Sequence, residues 1–211
     1  VMASKKQDQR SRPRTKTRRS TKLGMPPGSL IHVGERKTPD IHISLIEYGL
    51  EQLNEVQFTD IEASRAYTRT APVMWLNVHG LHEPEVMQEI GRRFNLHPLV
   101  LEDILHTDQR PKVDDYGDYL YLVTRFFEYD AATLSVRSEQ VSLVLGRGFV
   151  LSFQERPTGN FEPIRDRLRK AQGQIRKMGA DYLAYALLDV IVDRYFNVLE
   201  QIGERTEQLE D

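Results

Sequence analysis

Apolar positions along this chain fall into runs of two kinds. Short runs dense in β-branched and aromatic residues predict strands at Leu30–Val33, Ile41–Tyr48, Val56–Phe58 and Val73–Val78. The same pattern returns at Tyr119–Tyr129, Val136–Leu145 and Phe149–Gln154. Val73–Val78 is the most continuously apolar of these and is read as a central strand, and the two-residue link Arg147-Gly148 predicts an antiparallel hairpin. Helical spacing marks a short helix from about Asp60 to Arg69 and a longer one over Glu83–Phe94, where Val86, Ile90 and Phe94 share a face behind Pro84. His97-Pro98 breaks that helix, and Leu99–Leu105 forms another. From Phe161 the pattern is helical throughout, with Leu168 and Ile175 on one stripe interrupted near Gly179. A last helix starts near Ala180, and Ile191, Tyr195, Val198, Ile202 and Leu209 repeat at a spacing of about 3.5 residues, the period of a helix that packs on another helix. It runs into Glu200, Glu204, Glu207, Glu210 and Asp211 with no terminating signal, so the chain is expected to continue into a longer protein.

At 211 residues the chain suits one large domain or a domain with an arm. Cysteine is absent, which excludes a disulfide framework, a thiolate metal centre and a cysteine nucleophile. The 29 basic and 31 acidic side chains nearly cancel, but residues 1–22 hold nine Lys or Arg and a single acid. That makes the tail +8 and leaves −10 on the rest. The tail is too poor in apolar residues to bury a core, and reads as a solvated arm or as a contact for nucleic acid or anionic lipid headgroups. The apolar stretch Tyr182–Leu188 meets Asp189 after seven residues, far short of the ~20 that span a bilayer.

No phosphate-cradling glycine loop, nucleophile elbow or HExxH motif occurs, so an enzyme is not expected. His79 and His82 have a spacing that can chelate, but neither cysteine nor a third ligand accompanies them. Asp114, Asp115 and Asp118, around Tyr116-Gly117, read as a solvated turn. Trp75, Phe94 and Phe153 read as core. Glu102 and Asp103 stand out because they sit among Leu99, Val100, Leu101, Ile104 and Leu105, and two adjacent acids on so apolar a helix cannot share one direction. Either they form its polar edge, or one reaches a partner or a hard cation such as Mg²⁺ or Ca²⁺.

The segment His97-Pro-Leu-Val-Leu-Glu-Asp-Ile-Leu105, followed by Gln109-Arg-Pro-Lys-Val113, resembles the CorA family of magnesium transporters. Gly24–Gly28, Ser138–Leu143, Phe153–Glu155, Ile175–Lys177 and Ala180–Leu183 match in the same order, so the resemblance covers Gly24 to Asp211. It implies a cytoplasmic domain of α/β class: an α/β/α sandwich with a mixed, largely antiparallel sheet, followed by the start of a long stalk helix. On that basis residues 1–23 are a basic arm, 24–178 the sandwich and 179–211 the helix leading towards the stalk. Two transmembrane helices and a Gly-Met-Asn pore signature are expected beyond Asp211. The implied partners are further copies of the chain in a pentameric funnel and the cell (inner) membrane, with no nucleic acid.

The resemblance also implies a regulatory cation, Mg²⁺ or alternatively Co²⁺, bound between neighbouring cytoplasmic domains and holding the channel closed. Its Leu-Glu-Asp motif puts Glu102 and Asp103 in the metal site. An acid following the last strand corresponds to Glu162, where family members often have Asp, and a further acid belongs to the stalk beyond Asp211. Two alternatives stand beside this reading: the same fold from a zinc-transporting branch of the superfamily, and a free-standing binding module whose basic tail docks nucleic acid or lipid.

Overall fold

A computed structural model of the chain describes residues 26, 29–34, 36–58 and 60–210; the basic arm of residues 1–22 lies outside them. In chain order the elements are β1 (His42–Tyr48), β2 (Leu53–Phe58), α1 (Ile61–Arg65), β3 (Val73–His79), α2 (Pro84–Arg93) and α3 (Pro98–Leu105). There follow β4 (Lys112–Asp115), β5 (Tyr119–Asp130), β6 (Ser135–Gly146), β7 (Phe149–Gln154), α4 (Glu162–Arg169) and α5 (Ala180–Glu210).

One seven-stranded sheet has the order β2-β1-β3-β7-β6-β5-β4. Every pairing is antiparallel except β3 with β7, which run parallel at the centre. Period-two alternation splits the apolar strand residues between two faces. Met74, Leu76 and Val78 pack beneath α2 and α3 with Val86, Met87, Ile90, Val100 and Ile104. Val73 and Trp75 point the other way, against Phe161 just before α4, Ile164 and Leu168 within it, and Leu183, Leu187 and Ile191 of α5. The result is an α/β/α sandwich, and it explains why Val73–Val78 is apolar without interruption save Asn77: the strand is buried on both sides.

Two glycines set close approaches. Gly148, in the β6–β7 turn, has φ +76°, and a Cβ there would lie 2.9 Å from the Pro72 carbonyl oxygen. Gly91 lets α3 rest on α2, since a Cβ at that position would meet Leu101 Cδ1 at 2.4 Å.

The structure corrects the sequence reading in several places. Leu30–Val33 is no strand; it contributes one parallel bridge, Val33 to His106. The strand expected at Val56 begins at Leu53. Asp114 and Asp115 belong to edge strand β4, and only residues 116–118 turn, around Gly117 at φ +80°. The helix from Phe161 ends at Arg169; Leu168 and Ile175 are both buried, but Ile175 reaches the core from a run of turns. In α5 the expected stripe is buried at Ile191 and Val198 but open at Ile202 and Leu209.

Candidate functional site

Helix α3 is fixed at both ends. Pro98 occupies its first turn, His97 Nδ1 accepts the Leu99 N–H at 3.2 Å, and the His97 N–H donates to Tyr119 Oη at 2.8 Å. Val100, Leu101, Ile104 and Leu105 are buried, which turns Glu102 and Asp103 to the half-buried outer edge. Asp103 Oδ1 accepts from Gln109 Nε2 at 2.8 Å, and Oδ2 lies 2.7 Å from Lys112 Nζ. The same ammonium is 2.7 Å from Asp114 Oδ2. Partial burial works against the charge on Lys112, but its bonds to Asp103 and Asp114 outweigh it and hold the pKa above the ordinary lysine value. Buried Gln140 of β6 ties the group to the sheet, accepting the Gln109 N–H at 2.9 Å and donating to the Asp103 carbonyl at 3.3 Å.

Glu162 lies elsewhere. It opens α4 on the opposite face of the sheet, 2.5 Å from Arg169 Nη1 and 3.5 Å from Arg165 Nε. The structure therefore brings Glu102 and Asp103 together and leaves Glu162 across the sandwich. Among the described residues no three His, Asp or Glu side chains converge as a metal shell. Lys112 was invisible to sequence reasoning, because its contact with Asp103 depends on the β4–β5 ladder and β4 is only four residues long.

His79 and His82 have different partners, so the chelating spacing gives no chelate. His82 is half-buried; among the described residues its Nε2 accepts or donates no hydrogen bond and has Glu83 Oε1 3.9 Å away. His79, at the end of β3, bonds through Nε2 to Gln154 Oε1 at 3.1 Å. Burial first, then the nearby Arg165 charge, pushes its pKa down to about 4. The unfolded chain thus takes up this proton first as pH falls from the ordinary value of 6.5 towards 4, and stability is lost across that window. The shift corresponds to roughly 3 kcal/mol at most. His79→Gln should flatten the decline in urea midpoint between neutral and mildly acidic pH; an unchanged slope would assign the decline to other groups.

Comparison with known proteins places this geometry. Residues 71–211 match the family model described as "CorA-like Mg2+ transporter protein". The chain is 42% identical over 194 residues to the cobalt/magnesium transport protein CorA of Thermotoga maritima, covering 92% of this chain and 55% of that protein. It is 30% identical over 141 residues to the magnesium transporter ALR1 of Saccharomyces cerevisiae, covering 66% of this chain and 16% of that one. The chain thus spans about half the length of the Thermotoga protein and less of the yeast one. Its fold resembles the soluble domain of CorA from Methanocaldococcus jannaschii, with TM-score 0.61 and 12% identity over 80% of this chain and 63% of that one. It also resembles the cytoplasmic domain of ZntB from Vibrio parahaemolyticus, with TM-score 0.59 and 13% identity over 80% and 65%.

Proposed function

This chain belongs to the CorA-like Mg²⁺ transporter family, and from that premise we propose that it is the cytoplasmic, Mg²⁺-sensing part of a CorA-type Mg²⁺/Co²⁺ channel, not an enzyme. In this reading a divalent cation bound between neighbouring copies favours the closed channel. The observation that carries it is the placement of Glu102 and Asp103 on one face of the sandwich and Glu162 on the other. In a closed ring, one patch of each copy meets a different patch of the next, so acids too far apart to share an ion within a chain can share one between chains. The apolar side chains along α5 support self-association: Tyr185, Phe196, Leu199 and Leu209 are 59, 60, 63 and 74% exposed. Five copies in the ring, and attachment to the cell membrane through segments outside this chain, belong to the same proposal. The 42% identity to a cobalt/magnesium transport protein favours Mg²⁺ and Co²⁺ over zinc, because the likeness to ZntB bears on fold alone.

Mechanistically the reading needs the ion to bind the closed assembly better than the open one. Residues 23–211 carry a formal −10, so copies repel within a Debye length of roughly 8 Å. A cation between facing carboxylates removes that repulsion, and emptying the site restores it. Affinity should be low, because Mg²⁺ sheds its waters reluctantly and each Asp103 must exchange a lysine for the ion.

Millimolar Mg²⁺ is expected to raise the melting temperature or the association state of this chain, by sedimentation or light scattering. Glu102→Ala with Asp103→Ala should remove most of that response. A double variant that responds like the parent would take the site away from α3.

A further inference from the structure

The sheet face beneath α4 changes character along its strands. On β3 the side chains pointing there are Val73, Trp75, Asn77 and His79; on β7 they are Val150, Ser152 and Gln154; on β1, Tyr48, Ile46, Ser44 and His42. The polar ends coincide at the carboxyl ends of the parallel pair β3 and β7. The chain leaves β7 there, and α4 begins over the opening, which encloses a cleft of about 280 Å³. A crevice outside the carboxyl ends of parallel strands is where α/β sheets commonly hold ligands. The cleft shares Glu162 with the proposed cation site and His79 with the histidine pair, but neither of those readings places a ligand in it.

At its centre stands Arg165. Its side chain is 9% exposed, and the guanidinium lies 4.7 Å from the centre of the Trp75 ring. A guanidinium has five N–H donors, yet among the described residues its polar partners are Ser44 Oγ at 3.3 Å and Glu162 at 3.5 Å. Burial draws its pKa below the ordinary arginine value, despite Glu162 and Glu55 nearby. Those two acids are committed elsewhere: Arg169 grips Glu55 at 2.8 and 2.9 Å and Glu162 at 2.5 Å. The start of α4 cannot supply donors, since Pro163 has no N–H and the Glu162 and Ile164 amides bond to Gly159 and Phe161. Buried charge is costly unless paired and hydrogen-bonded, and Arg165 is under-supplied on both counts.

We propose that this cleft binds a small oxyanion, a phosphate- or carboxylate-bearing solute, with two of its oxygens on the free edge of Arg165. The planar fork of the guanidinium matches such a pair of oxygens, and a small, half-polar cleft admits a compact solute. Asn160, at the mouth, uses one amide hydrogen on Thr158 Oγ1 at 2.7 Å and has another to offer.

Trp75 is the sole tryptophan, so its fluorescence reports directly on the group stacked upon it. Inorganic phosphate and acetate are titrated separately into the chain at ionic strength held constant with sodium chloride. A saturable change with either anion supports the site and names which oxyanion it takes; no saturable change with both, or the same change with chloride, overturns it. Arg165→Lys keeps the charge but loses the fork and should bind about tenfold more weakly. Should that variant not fold, Asn160→Asp places a negative charge at the mouth without touching the core and should weaken binding similarly; undiminished binding in it overturns the proposal. Glu102→Ala with Asp103→Ala should leave the anion response intact, which separates failure here from failure of the cation reading.

Discussion

Trp75→Ala is expected to lower the unfolding free energy by about 3–5 kcal/mol, at the upper end of what truncating a buried aromatic costs. Trp75 is fully buried at the centre of β3, edge-on to Phe161 with ring centres 5.9 Å apart. Its indole N–H donates to Ser152 Oγ at 2.8 Å, and Ser152 passes its own hydrogen to Asn77 Oδ1 at 2.6 Å. Removing the indole leaves a cavity, unpairs one end of that buried chain and takes the ring from beneath the Arg165 guanidinium. Urea unfolding followed by far-ultraviolet circular dichroism checks the figure. A loss below about 1.5 kcal/mol would mean that α4 collapses into the space.

The second large effect is expected at Arg156. Its guanidinium Nε lies 2.8 Å from Glu139 Oε2, and its main-chain N–H donates to Oε1 at 3.1 Å. Glu139 is 3% exposed, and its pKa is raised because burial outweighs the arginine. Arg156→Ala leaves that carboxylate buried with one main-chain bond, at a cost of about 3 kcal/mol, the low end for a broken buried pair because Arg156 itself is partly hydrated. The pH dependence fixes the sign. With its folded pKa above the ordinary 4.5, Glu139 binds its proton sooner in the native state than in the unfolded chain. The deficit of the variant relative to the parent should therefore shrink as pH falls from neutral towards 4.5. A deficit independent of pH would attribute the loss to packing of the arginine stem.

These expectations differ in how far sequence could have reached them. Strand β7 was legible to its ends, and α2 and α3 to within a residue, because each is a dense apolar pattern bounded by Gly or Pro. β4 was hidden: four residues of edge strand, two of them acids, alternate too briefly to outweigh the turn signal of Asp and Gly. The end of α4 was hidden for another reason, since Ile175 is as buried as a helical residue would be while sitting in turns. At the site, the local rule about Glu102 and Asp103 left a polar helix edge and a partner both open and named no partner. Lys112 comes to Asp103 from a different element, and only topology sets Glu162 across the sheet from both. Arg165 gave no signal; one arginine in a helix of five charged residues and a proline looks like solvated surface until Trp75 is placed under it.

The parallel pair at the centre of the sheet also governs how the domain holds together. β4-β5-β6-β7 is an antiparallel meander of sequence neighbours, and β2-β1-β3 is an antiparallel trio in which the chain crosses from β2 over β1 to β3. Only the β3–β7 ladder stitches them, joining Met74 to Phe149 and His79 to Gln154 across a chain separation far longer than any hairpin in the fold. Its closure carries the largest loop entropy in the sheet, so the two antiparallel halves can form early while the stitch comes late. Because the Arg165 cleft opens onto the end of that stitch, a solute bound there would act as a clasp across the join.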